Sequence, residues 1–258
     1  MSREGRVVLA LGRRALSVQF RRSQLLLPTF VLPLLLLAVI ASGTSAAQDL
    51  RGFPDVGSYL AFIVPGTLIQ GALLAGLTSG IAFASDIEFG FFDRLLAAPV
   101  ARTSLVLGRQ AGTIGLSLLQ SSIFLGVAFL FGARFEAGAG EVAGAIALAA
   151  ITAVALGGLA CAIAIRTGSL SLLQSIFPFV FVLLFTAPAF FPRDLLAPAL
   201  HDVAAYNPLT YVVEAVRGML TGDPDIGDPL TGLAAALGMA VVATAIATLA
   251  LRERLRTL

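Results

Sequence analysis

Long apolar runs separated by short polar intervals dominate the chain. A membrane helix needs roughly 20 apolar residues to cross about 30 Å of hydrocarbon, and six runs approach that length. They cover Leu25–Gly43, Tyr59–Ala84, Ser104–Phe131, Val142–Ile165, Leu170–Phe191 and Leu230–Leu251. The pattern predicts an all-α polytopic membrane protein with six transmembrane helices.

The first apolar run follows several arginines and precedes small residues, which superficially resembles a secretory signal peptide. It begins only at Leu25, late for a signal peptide, and it is longer than a typical signal core. We therefore expect the run to remain as the first span, and residues 25–258 to form one six-span domain.

Residues 1–24 show a helical period before the first span. At 100° per residue, Val8, Leu11, Ala15 and Val18 fall on one face, while arginines gather on another. This predicts an amphipathic helix at the cytoplasmic membrane surface, held by its apolar face and by anionic lipid. The alternative is a basic tail that only sets the topology.

Composition supports a membrane protein and removes several chemistries. Apolar residues make up 58% of the 258 residues and charged ones 12%, against roughly 45–50% apolar in soluble domains. All 17 basic residues are arginine, so neither a phosphate-binding-loop lysine nor a Schiff-base lysine is present. One cysteine and one histidine are too few for a structural zinc site or a disulfide, and no metal site is expected. We expect Cys161 to be a small core residue.

The arginines are unevenly distributed between the two sides that six spans define. Thirteen of the 17 fall on the side that holds both termini, so both termini are predicted to be cytoplasmic. The bias toward arginine and alanine suggests a genome rich in G and C, and the expected location is the bacterial cytoplasmic (inner) membrane. Every acid lies near a membrane edge or in a loop, which disfavours an ion-gradient secondary transporter. The isolated His201 disfavours an intramembrane enzyme built on a histidine dyad.

The cytoplasmic interval of about residues 85–103 combines acids with aromatic and aliphatic side chains. Cytoplasmic loops normally favour positive charge, and a solvated loop would avoid adjacent phenylalanines. An amphipathic helix of this composition suits a groove on another protein. Pro99 would end the helix before the third span. The alternative is an interfacial helix that lies on lipid without a partner.

Three stretches carry a family resemblance. "DIEFGFFDRLLAAPVARTSLVLGR" resembles the membrane subunits of type 2 ATP-binding cassette exporters, particularly the daunorubicin-resistance branch. In that branch an acid, a glycine, an aromatic residue, Asp-Arg and a later Pro-x-x-Arg precede the third span. "YLAFIVPG" and "YNPLTYVVEAVRGML" resemble the start of the family's second span and its segment between spans five and six.

The resemblance implies that the loop of about residues 85–103 forms a short coupling helix that docks into a separate ATPase subunit. Phe91, Phe92, Leu95 and Leu96 would be the apolar anchors, and the charged residues would set register. The residues assigned to coupling are Asp86, Glu88, Gly90, Phe91, Phe92, Asp93, Arg94, Leu95, Leu96, Pro99 and Arg102. Two ATPases carrying ATP and Mg would act with this chain and a second permease subunit, as a homodimer or heterodimer. No cofactor on this chain and no nucleic-acid partner are expected.

The apolar runs between about residues 192 and 229 are too short to span a membrane. The segment nevertheless contains a helical pattern of apolar residues. Asn207 and Pro208 form a good helix start, and Gly222 with Pro224 a good stop. The apolar period predicts an amphipathic helix dipping into the outer leaflet, and the resemblance implies short extracellular re-entrant helices. The candidate extracellular gate is Asn207, Pro208, Tyr211, Glu214 and Arg217, with the last two able to pair. The alternative is a structural lid.

The substrate path has few sequence markers. Gln70 and Gln120 lie mid-span and either bond across helices or line a wet pathway. Phe177, Phe181 and Phe185 suggest an aromatic wall in span five, with lipid-facing or core packing as the alternative. The expected cargo is a hydrophobic or amphipathic drug, secondary metabolite or lipid moved outward. Envelope polysaccharide is the alternative, disfavoured by three tyrosines and no tryptophan.

Glycines recur at a spacing that permits close helix packing. The pairs are Gly76 with Gly80, Gly108 with Gly112, and Gly140 with Gly144. We expect them to lie at helix contacts.

Overall fold

The computed structural model describes residues 3–21, 23–43, 58–97, 100–223 and 225–256. These residues form helices and connecting turns, with no strand among them. The helices are α1 Arg3–Arg21, α2 Ser23–Gly43, α3 Tyr59–Glu88, α4 Phe91–Leu96, α5 Arg102–Leu130, α6 Ala139–Thr167, α7 Leu170–Ser175, α8 Phe177–Phe185, α9 Pro198–Tyr206, α10 Pro208–Thr221 and α11 Pro229–Arg254. A 3-10 turn at Arg193–Leu195 precedes α9. The all-α prediction is confirmed for the described part of the chain.

The axis of the bundle is α3, which is buried over nearly its whole length. It packs against α2, α5, α6 and α10. Two glycines allow the close approach of α6, as predicted. A Cβ added at Gly76 would lie 2.5 Å from the Ala153 carbonyl oxygen, and one at Gly80 would lie 2.2 Å from the Ala160 Cβ. Larger residues at these positions would push the two helices apart.

The N-terminal helix packs on α5 through the second glycine pair. A Cβ added at Gly108 would lie 2.5 Å from the Leu11 Cβ, and one at Gly112 would lie 2.7 Å from the Ala15 Cβ. The amphipathic helix was predicted, but its apolar stripe was expected to face lipid; instead Leu11 and Ala15 contact a neighbouring helix. The third pair was expected at a helix contact as well, yet Gly140 has no neighbour within 4 Å of an added Cβ.

Within the described ranges, four helices are long and apolar enough to cross a membrane, namely α3, α5, α6 and α11, and a fifth span results if α1 and α2 are one bent unit. The predicted fifth span Leu170–Phe191, a helix that prolines could kink, is not confirmed as one unbroken helix. It is divided at Ile176 into α7 and α8, and irregular backbone follows Phe185. Pro178 explains the break, because it lacks an N–H and its ring crowds the preceding turn.

The chain brings the predicted cytoplasmic segments to one end of the bundle. The Arg254 Nη1 donates to the Ile165 carbonyl oxygen at 2.8 Å, which joins the C-termini of α6 and α11. The short helix α4 and the start of α5 lie at this same end, called here the α4 end. At the opposite end, called the α10 end, Gly222 contacts Glu136. Four of the arginines predicted to share one side therefore lie at the α4 end, namely Arg94, Arg102, Arg166 and Arg254.

Candidate functional site

The connection between α3 and α5 contains the short helix that the sequence predicts. The chain turns at Gly90, whose φ of 70° lies in the left-handed region that favours glycine. Helix α4 then covers only Phe91–Leu96. Within the predicted loop 85–103, Asp86 and Glu88 belong to the last turn of α3. Arg102 begins α5, and Pro99 lies outside the described residues.

The inner side of α4 belongs to the core. Phe92 is 0% exposed, and its ring meets that of Phe83 edge to face at a centroid distance of 5.3 Å. The Arg254 guanidinium lies 5.7 Å from the centre of the Phe92 ring. This placement corrects the expectation that Phe92 is an anchor for a partner, because no surface of it is accessible.

Asp86 also points inward rather than toward a partner. Its carboxylate is 7% exposed and accepts hydrogen bonds from Arg14 Nη1 at 3.2 Å and Nη2 at 3.3 Å. The Arg109 Nη2 donates to the same carboxylate. Asp86 therefore links α1, α3 and α5 inside the protein, which corrects its predicted role at the docking surface. Sequence analysis missed Arg14 and Arg109, because no local spacing joins positions so far apart.

The outer side of this segment is charged and carries one exposed aromatic ring. We define the coupling surface as Glu88, Phe89, Asp93, Arg94 and Arg102, all of which are exposed. Phe89 is 74% exposed. Leu95 and Leu96 are partly buried against the core, and Phe91 lies under Arg14 with 3.5 Å between the guanidinium carbon and the ring centre. An aromatic ring with a charged rim is the composition of a protein interface.

Phe89 was not among the predicted anchors, although it belongs to the same aromatic run. Its position directly before the helix-ending Gly90 is the signal that separates it from Phe91 and Phe92. The turn at Gly90 sends Phe89 outward and folds α4 back against the core.

At the α10 end, Asn207 organises the start of α10 as predicted. Its Oδ1 accepts a hydrogen bond from the Leu209 backbone N–H at 2.9 Å, and its Nδ2 donates to the Leu183 carbonyl oxygen at 2.9 Å. Helix α10 begins at Pro208 and ends before Gly222, whose φ is 71°. Pro224, the other part of the predicted stop, lies outside the described residues. The Tyr211 hydroxyl donates to the Ala205 carbonyl oxygen at 2.9 Å.

Arg217 is 2% exposed and bonds to backbone oxygens rather than to an acid. Its Nε donates to Phe62 at 3.1 Å, and its Nη2 donates to Pro188 at 2.8 Å and to Ala189 at 2.9 Å. The guanidinium carbon lies 3.9 Å from the centre of the Phe62 ring. No ion pair between Glu214 and Arg217 occurs in the described part of the chain, so the predicted pairing is wrong.

The apolar face of α10 is also placed differently from the prediction. Val212, Val213 and Val216 are fully buried, and α10 packs against α3, α6 and α11. The helix therefore forms part of the bundle and does not dip its apolar face into lipid.

The two mid-span glutamines have different surroundings. The Gln120 Nε2 donates to the Thr29 carbonyl oxygen at 2.6 Å and so links α5 to α2. Gln70 is fully buried, and neither of its amide atoms has a hydrogen-bond partner among the described residues. Gln120 therefore acts as an interhelical link.

Aromatic rings follow one another along α8. Phe177 and Phe181 have ring centres 5.7 Å apart, and Phe181 and Phe185 have centres 6.4 Å apart. Phe190 extends the row at 5.7 Å from Phe185. Phe185 is exposed, whereas Phe177 and Phe181 are half-buried. The row is the aromatic surface that the sequence predicts, and its contact with a cargo stays a prediction.

Apolar helices around a buried axis, with a short charged helix at one end, define a multi-pass membrane protein. Residues 6–221 match the family model described as "ABC-2 type transporter", and the chain belongs to that family. The match covers the N-terminal helix, the coupling surface and α10, so the resemblance seen in the sequence is confirmed.

Named relatives agree with this family. The chain is 30% identical over 211 residues to "Putative transport permease ycf38" of Porphyra purpurea, covering 81% of this chain and 72% of that one. It is 23% identical over 188 residues to "Probable doxorubicin resistance ABC transporter permease protein DrrC" of Mycobacterium tuberculosis, covering 73% and 67% respectively. "Daunorubicin resistance ABC transporter permease protein DrrB1" of Streptomyces coeruleorubidus is 23% identical over 192 residues, covering 71% and 65%.

Proposed function

We propose that this chain is the membrane permease subunit of an ATP-driven exporter, and that a separate ABC ATPase docks on the coupling surface. The observation that carries the proposal is Phe89, an exposed ring between Glu88 and the α4 charges Asp93 and Arg94. The aromatic ring and the charges beside it together make a mixed surface, and aromatic residues with a polar rim are enriched at protein interfaces. The relatives named as ABC transporter permeases support such a partner.

The coupling surface is well placed to move the bundle. It lies between α3 and α5, and α3 continues for 30 residues, about 45 Å, to the α10 end. There the Phe62 carbonyl oxygen accepts a hydrogen bond from Arg217. A displacement of α4 by the ATPase would therefore reach both ends of the bundle through one buried helix.

The ATPase activity is assigned to another polypeptide. A phosphate-binding loop uses a lysine on the β- and γ-phosphates, and all 17 basic residues of this chain are arginine. ATP and Mg²⁺ would bind the partner. We propose two ATPase subunits acting with two permease subunits, the second permease being a copy of this chain or a relative.

The proposed topology has six crossings, made by α2, α3, α5, α6, the α7–α8 pair and α11. The α4 end, which holds most arginines, would be cytoplasmic together with both termini. The membrane would be the bacterial inner membrane. Helices α9 and α10 would then cap the external exit, with Arg217 holding the cap to α3.

The proposed cargo is a hydrophobic or amphipathic compound. Two supports are the relatives named for doxorubicin and daunorubicin resistance and the aromatic row of α8, which offers apolar contacts to such a molecule. Phe181→Ala is expected to change the relative efflux of different compounds while leaving ATPase binding intact. Equal efflux of every compound tested would remove α8 from the path.

The test of the proposed function is co-purification. This chain, carrying the only tag, is co-expressed with the ATPase encoded nearest its gene, and ATP hydrolysis is measured in liposomes. We expect a stable, active complex that Phe89→Ala weakens. Leu130→Ala, which removes an exposed apolar side chain from the other end of α5, is the matched control. A chain that purifies alone with every candidate ATPase would contradict the proposal.

A further inference from the structure

Helices α1, α3 and α5 meet at the carboxylate of Asp86, just before the coupling surface in the chain. Helix α4 adds an aromatic ring to this group. Asp86 of α3 accepts from Arg14 of α1 and from Arg109 of α5. The Arg14 guanidinium carbon also lies 3.5 Å from the centre of the Phe91 ring in α4. We call Arg14, Asp86, Phe91 and Arg109 the Asp86 cluster. It connects the coupling segment to the N-terminal helix.

The connection to α1 differs from the others because it is not covalent. Helices α3, α4 and α5 follow one another in the chain around the coupling surface, so any movement of α4 reaches α3 and α5 directly. Arg14 and Asp86 are 72 residues apart. Helix α1 already packs on α5 through Leu11 and Ala15, and Arg14 adds a direct link from α1 to α3 and α4 through which the same movement can reach α1.

The Asp86 cluster lies in a low-dielectric site. Its two positive charges exceed its single negative charge. The side chains of Asp86 and Arg109 are 7% and 5% exposed, while that of Arg14 is 33% exposed. Charges attract strongly in such a site. Two guanidinium groups share one carboxylate, and the Arg109 Nη1 has no hydrogen-bond partner among the described residues. Arg14 can therefore leave without depriving Asp86 of a counter-charge.

We infer that Asp86 is a positioning residue that, through Arg14, fastens the coupling surface to α1, so that movement of a docked ATPase is passed to the N-terminal helix as well as to α3 and α5. The transmission step rests on the proposed function. The fastening of α1 to α4 does not, and it can be measured on the permease alone.

The fastening is tested in lipid nanodiscs by pulsed electron paramagnetic resonance. Nitroxide labels are placed at Leu9→Cys on α1 and Ala97→Cys at the end of α4, both exposed, in a Cys161→Ala background. Arg14→Gln should broaden the distance distribution, and Arg14→Lys should keep it close to that of the parent. The variant Arg14→Gln leaves the Asp86–Arg109 pair intact, so the fold should be retained.

The control for the distance measurement is Arg13→Gln, an equal charge change at an exposed neighbour. An unchanged distribution in Arg14→Gln would overturn the inference.

The transmission is tested on the complex in liposomes. Arg14→Gln should lower the maximal rate of ATP hydrolysis about tenfold, within the usual range of coupling between sites. The KM for ATP and the yield of co-purified ATPase should not change, and Arg14→Lys should recover most of the rate. A full maximal rate in Arg14→Gln would refute transmission through α1. If no ATPase binds the parent chain, the proposed function fails, while the distance measurement still decides the fastening.

Discussion

The two most buried arginines in the described part of the chain, Arg109 and Arg217, lie at opposite ends of the bundle and are satisfied in opposite ways. Arg109 at the α4 end shares the Asp86 carboxylate with Arg14. Arg217 at the α10 end donates to three backbone carbonyl oxygens and stacks on Phe62.

This difference separates an end suited to rearrangement from an end suited to holding its shape. Side-chain ion pairs between helices can exchange partners, whereas backbone carbonyls of Phe62, Pro188 and Ala189 cannot leave without moving the chain. Removing Arg217 also takes this donor away from the Pro188 and Ala189 carbonyl oxygens in a buried site, which is costly. The α4 end receives the proposed partner, and the α10 end closes the bundle.

The largest effect is expected from the inward ring of α4. Phe92→Ala should lower the free energy of unfolding by about 4 kcal/mol, as for other large-to-small core changes, because the ring is fully buried against Phe83. Phe89→Ala, made at an exposed ring, should change stability little. Thermal unfolding in detergent measures both. Equal loss in the two variants would contradict the inward placement of Phe92 and the outward placement of Phe89.

The next effect is expected at the α10 end. Arg217→Met should lower the free energy of unfolding by about 3 kcal/mol, since it removes the buried donors to Phe62, Pro188 and Ala189. Arg217→Lys should recover part of this loss. Arg252→Met, at an exposed position on α11, is the control. If the Arg217→Met variant were as stable as the parent protein, the carbonyl contacts would not be what stabilises the α10 end.

A smaller loss of stability, most of which a second substitution should restore, is expected at the α4 end. Asp86→Asn should cost about 2 kcal/mol, because it replaces the counter-charge of buried Arg109 with a neutral amide that can still accept a hydrogen bond. The double change Asp86→Leu with Arg109→Met should regain most of the stability, since it removes both charges together. Unfolding of the single and double variants in the same detergent measures this. A double variant less stable than Asp86→Asn would show that the pair, and not the unpaired charge, determines stability.

The smallest effect is expected at the exposed pair of Arg166 and Glu253, whose nitrogen and oxygen are 2.8 Å apart. Glu253→Gln should change the free energy of unfolding by less than about 0.5 kcal/mol, because both side chains are solvated. A loss as large as that of Asp86→Asn would show that burial does not distinguish the two ion pairs.

Periodicity and local signals in the sequence predicted much of the fold. Apolar runs located α3, α5, α6 and α11, because hydrocarbon requires continuous helices whose backbone groups bond internally. Asn207 and Gly222 marked the ends of α10, since helix capping depends on neighbouring residues alone. The same local information did not determine the extent of the helix predicted at Leu170–Phe191, which is broken at Ile176 near Pro178 and ends at Phe185.

What only the tertiary structure decided is which side of each element faces the bundle. Phe89, Phe91 and Phe92 read alike in the sequence, yet one is exposed, one lies under Arg14 and one is buried. The pairing of Asp86 with Arg14 and Arg109, and the capture of Arg217 by carbonyls, depend on contacts between residues far apart in the chain. Composition and periodicity constrain positions within one helix, whereas a buried charge is satisfied by whatever group the packing brings to it.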